Sequence, residues 1–245
     1  MAVRPGAPCW VSLTTHDRQA TEGFYGGALG WSFQEGALAP EFRVATVAGR
    51  PVAGLNEAAA ARGLPVRWTV FFLVEDVDKA SELMAECGGT VAVGPLETGS
   101  GRTVVGADPC GAAFGLWQGE APAEWSAGAE DAPVQLSLHT CEPDAVAAFY
   151  SAVLGWPRDS ARWPYADLRG DARPGNADPE TCPRWEIAFR TPDPDETVAA
   201  AVRRGGRALS APEGAQERRS TLADPHGALF TVVAAQGCPP ATAGR

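Results

Sequence analysis

The chain repeats itself. Phe24-Tyr25-Gly26-Gly27-Ala28-Leu29-Gly30-Trp31 returns as Phe149-Tyr150-Ser151-Ala152-Val153-Leu154-Gly155-Trp156, an offset of 125. Arg67-Trp68 returns as Arg184-Trp185 at an offset of 117, and Ala107-Asp108-Pro109-Cys110-Gly111 as Ala223-Asp224-Pro225-His226-Gly227 at 116. Three landmarks in one order at nearly constant offset mean two copies of one domain. The drift from 125 to 116 places a shortening of the second copy between Trp156 and Arg184. The copies span 1–118 and 134–245, joined by a linker, 119–133, that is rich in Ala, Gly, Pro and Glu and lacks periodicity.

Each copy divides again into two units of strand, helix and further strands. Alternation over Trp10–Thr15 predicts a strand, and Asp17–Leu29 a helix with Thr21, Phe24, Tyr25 and Ala28 on one stripe and Gly30 at its C-terminal turn. Strands follow near Phe42–Val47 and Pro51–Leu55. The second unit reads as a strand at Trp68–Val74, a helix at Val77–Glu86 stopped by Gly88-Gly89, and strands near Arg102–Gly106 and Ala113–Trp117. In the second copy, Glu142-Pro143 and Asp193-Pro194 read as helix caps followed by proline in the first turn.

Composition excludes several classes of function. A formal charge of −10 disfavours nucleic acid and anionic membrane surfaces. No apolar run reaches membrane-spanning length, and the N-terminal residues lack an export signal, so a cytoplasmic location is expected. Six cysteines scattered without a C-x-x-C pair read as reduced thiols.

Four tandem βαβββ modules, with F-Y-x-x-x-L-G-W after the first strand and D-P-x-G-x-x-F in the last hairpin, resemble the vicinal oxygen chelate superfamily: the glyoxalase, bleomycin-resistance and dioxygenase fold. The resemblance implies an α+β architecture of two domains. Two modules, from one copy or one from each, pair into a half-open β-sheet cup with helices outside and ligands on the concave face. Because tandem copies mimic the dimer of single-copy relatives, a monomer or a homodimer is expected.

The resemblance also implies where a divalent ion would be held. The first-strand ligand lies seven residues before the acidic residue that opens each helix, which gives Trp10, Thr69, Gln135 and Glu186. The last-strand ligand corresponds to Gly54, Gly115, Ala177 and Thr231. The first copy therefore offers no donors, and the second only Gln135 and Glu186, joined by His139 if strand parity holds. No metal and no other cofactor is expected.

Strand parity assigns the rest of the cup linings. Trp10, Ser12, Thr14, Thr69, Phe71, Gly115 and Trp117 should line the first cup, making it aromatic, uncharged and roomy. A planar ligand covering about 100 Å² of one tryptophan face would gain roughly 2.5 kcal/mol. Gln135, Ser137, His139, Arg184, Glu186, Arg190 and Thr231 should line the second cup. There His139 and Glu186 could act as general base and acid, with the Glu186 pKa raised if arginine does not fully pair it.

Three functions follow. One is metal-independent binding of a hydrophobic, aromatic metabolite, for sequestration, self-resistance or carriage in antibiotic biosynthesis, as in the bleomycin-resistance branch. Another is a metal-independent isomerase, cyclase or lyase using His139 and Glu186. The third, a metal-dependent glyoxalase or dioxygenase, is disfavoured by the missing donors.

Overall fold

The computed structural model describes residues 4–36, 42–57, 63–122, 125–128, 132–171, 182–211 and 218–235. The first unit runs β1 (Pro8–Thr14), α1 (Arg18–Leu29), β2 (Ser32–Glu35), β3 (Phe42–Val47) and β4 (Arg50–Asn56). The second runs β5 (Arg67–Leu73), α2 (Val77–Glu86), β6 (Thr90–Thr98), β7 (Gly101–Ala107) and β8 (Ala113–Gly119). After the linker come β9 (Val134–His139), α3 (Pro143–Leu154), a short 3-10 turn (Ser160–Arg162) and β10 (Asp167–Arg169). The fourth unit is β11 (Arg184–Thr191), α4 (Pro194–Arg203), β12 (Arg207–Ala208), β13 (Arg219–Ala223) and β14 (Leu229–Ala234). No helix among the described residues is long and apolar enough to cross a membrane.

Local chemistry explains the helix ends. Asp17 accepts the Ala20 N–H, Asp76 those of Asp78 and Lys79, and Asp193 those of Asp195 and Glu196. Gly30 and Gly155 close α1 and α3 in the left-handed region, at φ of 69° and 71°. Glu142 differs from expectation: its side chain makes no cap bond, and Thr140 Oγ1 instead accepts the Glu142 N–H at 3.2 Å. The peripheral strands β2 and β6 lack a buried alternating face, so hydrophobic patterning did not reveal them.

Modules pair within each copy. The first sheet has the order β2-β3-β4-β1-β5-β8-β7-β6 and the second β10-β9-β11-β14-β13-β12. The joins are the antiparallel pairs β1–β5 and β9–β11. The shortening falls in the third module, where β10 takes the place of β4. β10 runs parallel to β9 with Asp167 opposite Ser137, just as Gly54 lies opposite Ser12. The last-strand position of that module is therefore Asp167. Ala177, expected there, lies outside the described residues.

The helices are outside each cup yet between the two copies, because the convex faces of the sheets turn toward each other. α1 packs against α4 and α2 against α3, while β11 and β14 meet β5. Trp68, Val70 and Phe72 point into this seam and are buried, as parity requires. Aromatic rings interlock across it: Trp31 with Phe189 at 4.9 Å, Phe72 with Trp185 at 5.2 Å, Phe114 with Phe149 at 5.9 Å. Each such ring, fully buried, contributes about 2–3 kcal/mol.

The repeated landmarks meet here in two matching relays. Trp68 Nε1 donates to Tyr25 Oη at 2.9 Å, and Tyr25 donates to Asp224 at 3.1 Å. Trp185 Nε1 donates to Tyr150 Oη at 2.8 Å, and Tyr150 donates to Asp108 at 3.3 Å. In each relay the tryptophan and tyrosine come from one copy and the aspartate from the other. Burial pushes both carboxyls upward, against the hydrogen bonds they accept. Glycine at 89 and 206 admits the phenylalanine of the opposite copy: a Cβ there would lie 2.8 Å from the Phe149 or Phe24 ring. The motifs that reveal the repeat thus build the seam.

Candidate functional site

Both cups use the same strand positions, so they compare residue by residue. In the first, Trp10 faces Phe71, Ser12 faces Thr69 and Thr14 faces Arg67 across β1–β5. In the second, Gln135 faces Ala188, Ser137 faces Glu186 and His139 faces Arg184 across β9–β11.

The first cup is not roomy. The space left by its glycines is taken by its own rings. A Cβ on Gly54 would lie 2.4 Å from Phe42 and 2.6 Å from Trp10 Nε1, and one on Gly115 only 2.2 Å from Phe71. The linker adds a further ring: Trp125, 3% exposed, packs on Trp10 at 5.7 Å and donates its indole N–H to Val52 O at 2.7 Å. Ser12 and Thr69 are buried beneath, while Thr14 and Phe71 are half-buried. Trp117 is tethered at the cup's end by a bond from its indole N–H to Glu120 O. The expected lining is therefore present, but packed shut. No sequence signal singled out Trp125, because the linker shows no periodicity.

The second cup holds an ionic array. His139 and Glu186 are 7% and 9% exposed, with Nε2 and Oε2 3.2 Å apart. On the other side of the ring, His139 Nδ1 lies 2.8 Å from Asp171 Oδ1, whose side chain is 59% exposed. Arg219, on β13, donates to Glu186 Oε1, and the Arg184 guanidinium is 3.9 Å from Oε2. Parity had brought His139, Glu186 and Arg184 together. Arg219 and Asp171 were missed. Arg219 occupies a strand position whose counterpart, Thr103, carries no charge, and Asp171 lies in the shortened stretch, where no twin marks it.

These contacts set the charge of Glu186. Burial alone would raise its pKa, but the His139 hydrogen bond and the charges of Arg219, His139 and Arg184 outweigh it and bring it to about 2. A rise was expected only without full arginine pairing, and the pairing is complete. Glu186 is therefore a fixed carboxylate and not a proton donor near neutral pH. His139 bridges it to Asp171 at the solvent edge, a geometry that can pass a proton along the ring.

Other expected residues fall nearby or elsewhere. Ser137 and Thr231 are buried in the cup, with Thr231 Oγ1 3.3 Å from Thr221 Oγ1, and Gln135 is half-buried. Arg190 does not join the array. It sits at the end of β11, where its guanidinium donates to the carbonyls of Ala132 and Ala234 and ties the linker down. His16 and His226 are exposed turn residues.

Comparison with known proteins agrees with this architecture. The profile of the Glyoxalase/Bleomycin resistance protein/Dioxygenase superfamily matches residues 9–116, and that of a Glyoxalase-like domain matches residues 135–233. The anthracycline biosynthesis protein DnrV of Streptomyces peucetius is 32% identical over 271 residues, covering 98% of this chain and 97% of that protein. The chain belongs to the glyoxalase/bleomycin-resistance/dioxygenase superfamily. Another relative, CFP32 of Mycobacterium tuberculosis, named as a glyoxylase, is also 32% identical, over 94% of this chain and 95% of that one. The Mn(II)-bound glyoxalase from Novosphingobium aromaticivorans shares the fold at a TM-score of 0.56 and 17% identity, over 94% of this chain and 82% of that one.

The superfamily's metal positions in the second cup hold Gln135, Asp167, Glu186 and Thr231, and this set does not fit a divalent ion. Both Glu186 oxygens are engaged by cationic partners, and two guanidinium groups stand where an ion would approach. The Asp167 side chain is 79% exposed and lies 3.8 Å from Arg169. Among the described residues, no three His, Cys, Asp or Glu side chains converge on a common point.

Proposed function

We propose that the second cup binds a planar, aromatic, phenol-bearing metabolite without a resident metal, in a sequestering or carrier role in secondary metabolism. One observation carries this reading: a buried His139–Glu186 pair with Arg184 and Arg219 on the concave face, where the family resemblance implies ligands. Arginine donors suit phenolic and quinone oxygens, and a fixed carboxylate accepts from a hydroxyl. The kinship with DnrV, named for anthracycline biosynthesis, points to polycyclic aromatic ligands. The first cup supports no such role, since Trp125 closes it.

A second reading is metal-free acid–base catalysis in which His139 moves a proton between ligand and Asp171. The Asp171–His139–Glu186 alignment favours it.

Calorimetric titration with an anthracycline separates these readings. Saturable binding near micromolar strength, about −8 kcal/mol, is expected, and it should survive dialysis against EDTA. His139→Ala should weaken binding about tenfold, the loss of one charge-assisted hydrogen bond. Binding that disappears with EDTA and returns with Mn(II) overturns the proposal. Normal binding by the variant together with lost turnover establishes the second reading instead.

A further inference from the structure

Two thiols meet across the seam, away from either cup. Cys110 lies in the D-P-C-G turn between β7 and β8, where the second copy has His226, and Cys141 lies just ahead of α3. Their sulfurs are 3.4 Å apart although the residues are 31 positions apart in sequence and belong to different copies. Both are free and half-buried, so a small reagent can reach them.

The surrounding bonds fix both backbones. Asp108 Oδ1 accepts the N–H groups of Cys110 and Ala112, each at 3.0 Å, and Asp108 Oδ2 accepts from Tyr150 of α3. The Thr140 N–H donates to Arg169 O at 2.9 Å, and Thr140 Oγ1 accepts the Glu142 N–H. The two sulfurs also differ in role. Cys110 Sγ accepts hydrogen bonds from Thr140 Oγ1 at 3.3 Å and from the Cys141 thiol. The Cys141 thiol is pushed up by burial and then by its bond to Cys110, so it holds its proton. By contrast, burial pushes Cys9 up to about 12, and its thiol donates to Phe71 O.

We propose that Cys110 and Cys141 form a dithiol modification site that a low-molecular-weight disulfide oxidises to a bond between the two copies. Cys110 sulfur, its proton released to solvent, attacks one sulfur of the reagent. An S–S bond forms to Cys110 while the reagent's own S–S bond breaks, and the departing thiolate takes up a proton. Cys141 sulfur then loses its proton and attacks Cys110 sulfur, expelling the second reagent thiol. The protein loses two electrons and two protons, and the reagent gains them as two thiols. Closing the gap to a bond of about 2.05 Å needs an approach of roughly 1.4 Å, within the reach of side-chain rotation. The new bond encloses the linker, and with it Trp125, in a covalent loop.

Glutathione buffers test this on the folded full-length chain. Raising the share of oxidised glutathione should give wild-type protein a Cys110–Cys141 cross-linked peptide by mass spectrometry, with two fewer titratable thiols and reversal by dithiothreitol. Cys141→Ser should stall at one glutathione on Cys110, and Cys110→Ser should form neither product. If folded wild-type protein in fully oxidised glutathione carries only mixed disulfides, or cross-links other cysteines, the proposal fails. A Cys141→Ser protein without the Cys110 adduct overturns the order of attack.

Discussion

Thr14, Arg67 and Thr69 in the first cup stand where His139, Arg184 and Glu186 stand in the second. Around them Trp10 and Phe71 are matched by Gln135 and Ala188, Gly115 by Thr231, and Gly54 by Asp167. One frame therefore carries two environments. In the first, Gly54 and Gly115 make room for neighbouring rings, and the result is a packed apolar plug. In the second, smaller or polar residues surround a carboxylate whose burial is compensated by two guanidinium groups and an imidazole. A charge can be kept buried only with such partners. The copies differ in what fills them: one cup holds packed rings, the other paired charges.

The largest effect on this contrast should come from Trp125→Ala. It removes the ring that seals the first cup together with its bond to Val52 O. Denaturant unfolding should register a loss of about 4 kcal/mol, while ligand affinity at the second cup stays unchanged. If affinity falls as far as stability, the cups are not independent.

Glu186→Gln should cost about 3 kcal/mol near neutral pH, because Arg219 and Arg184 lose their counter-charge. The pH dependence of that loss identifies its cause. The pKa of Glu186 is lowered from 4.5 to about 2 in the folded chain, so the wild type's advantage is complete above 4.5 and fades as pH falls toward 2. Unfolding of both proteins across this range should show their difference narrowing. A constant difference would locate the loss in packing rather than charge.

The smallest effects belong to the seam, and they should be equal. Asp108→Asn and Asp224→Asn each leave a tyrosine hydroxyl without its acceptor, since the amide nitrogen faces an oxygen that already accepts an indole N–H. Each should cost about 1–2 kcal/mol by thermal or chemical unfolding. Unequal losses would show that the two relays, alike in geometry, differ in energy.

Much of the frame was legible in the sequence because repetition and alternation are local properties. Parity turned Trp68, Val70 and Phe72 away from the cup, toward the helices, where they are buried, and it aligned His139, Arg184 and Glu186 on one face. It misplaced Arg190, which shares their parity but lies at the strand's end, where the carbonyls of Ala132 and Ala234 claim it. It had nothing to say of Arg219, Asp171 or Trp125. Nor could it tell whether glycine at 54 and 115 leaves a cavity or makes room for a ring.

By itself, the sequence determined the duplication, the order of the helices and central strands and the face that most residues of those strands take, since these follow from backbone periods of 2.0 and 3.6 residues. Only the tertiary structure decided which cup is filled, which carboxylate is neutralised and which thiols touch. Those outcomes depend on distances between segments far apart in the chain, and no local period encodes them.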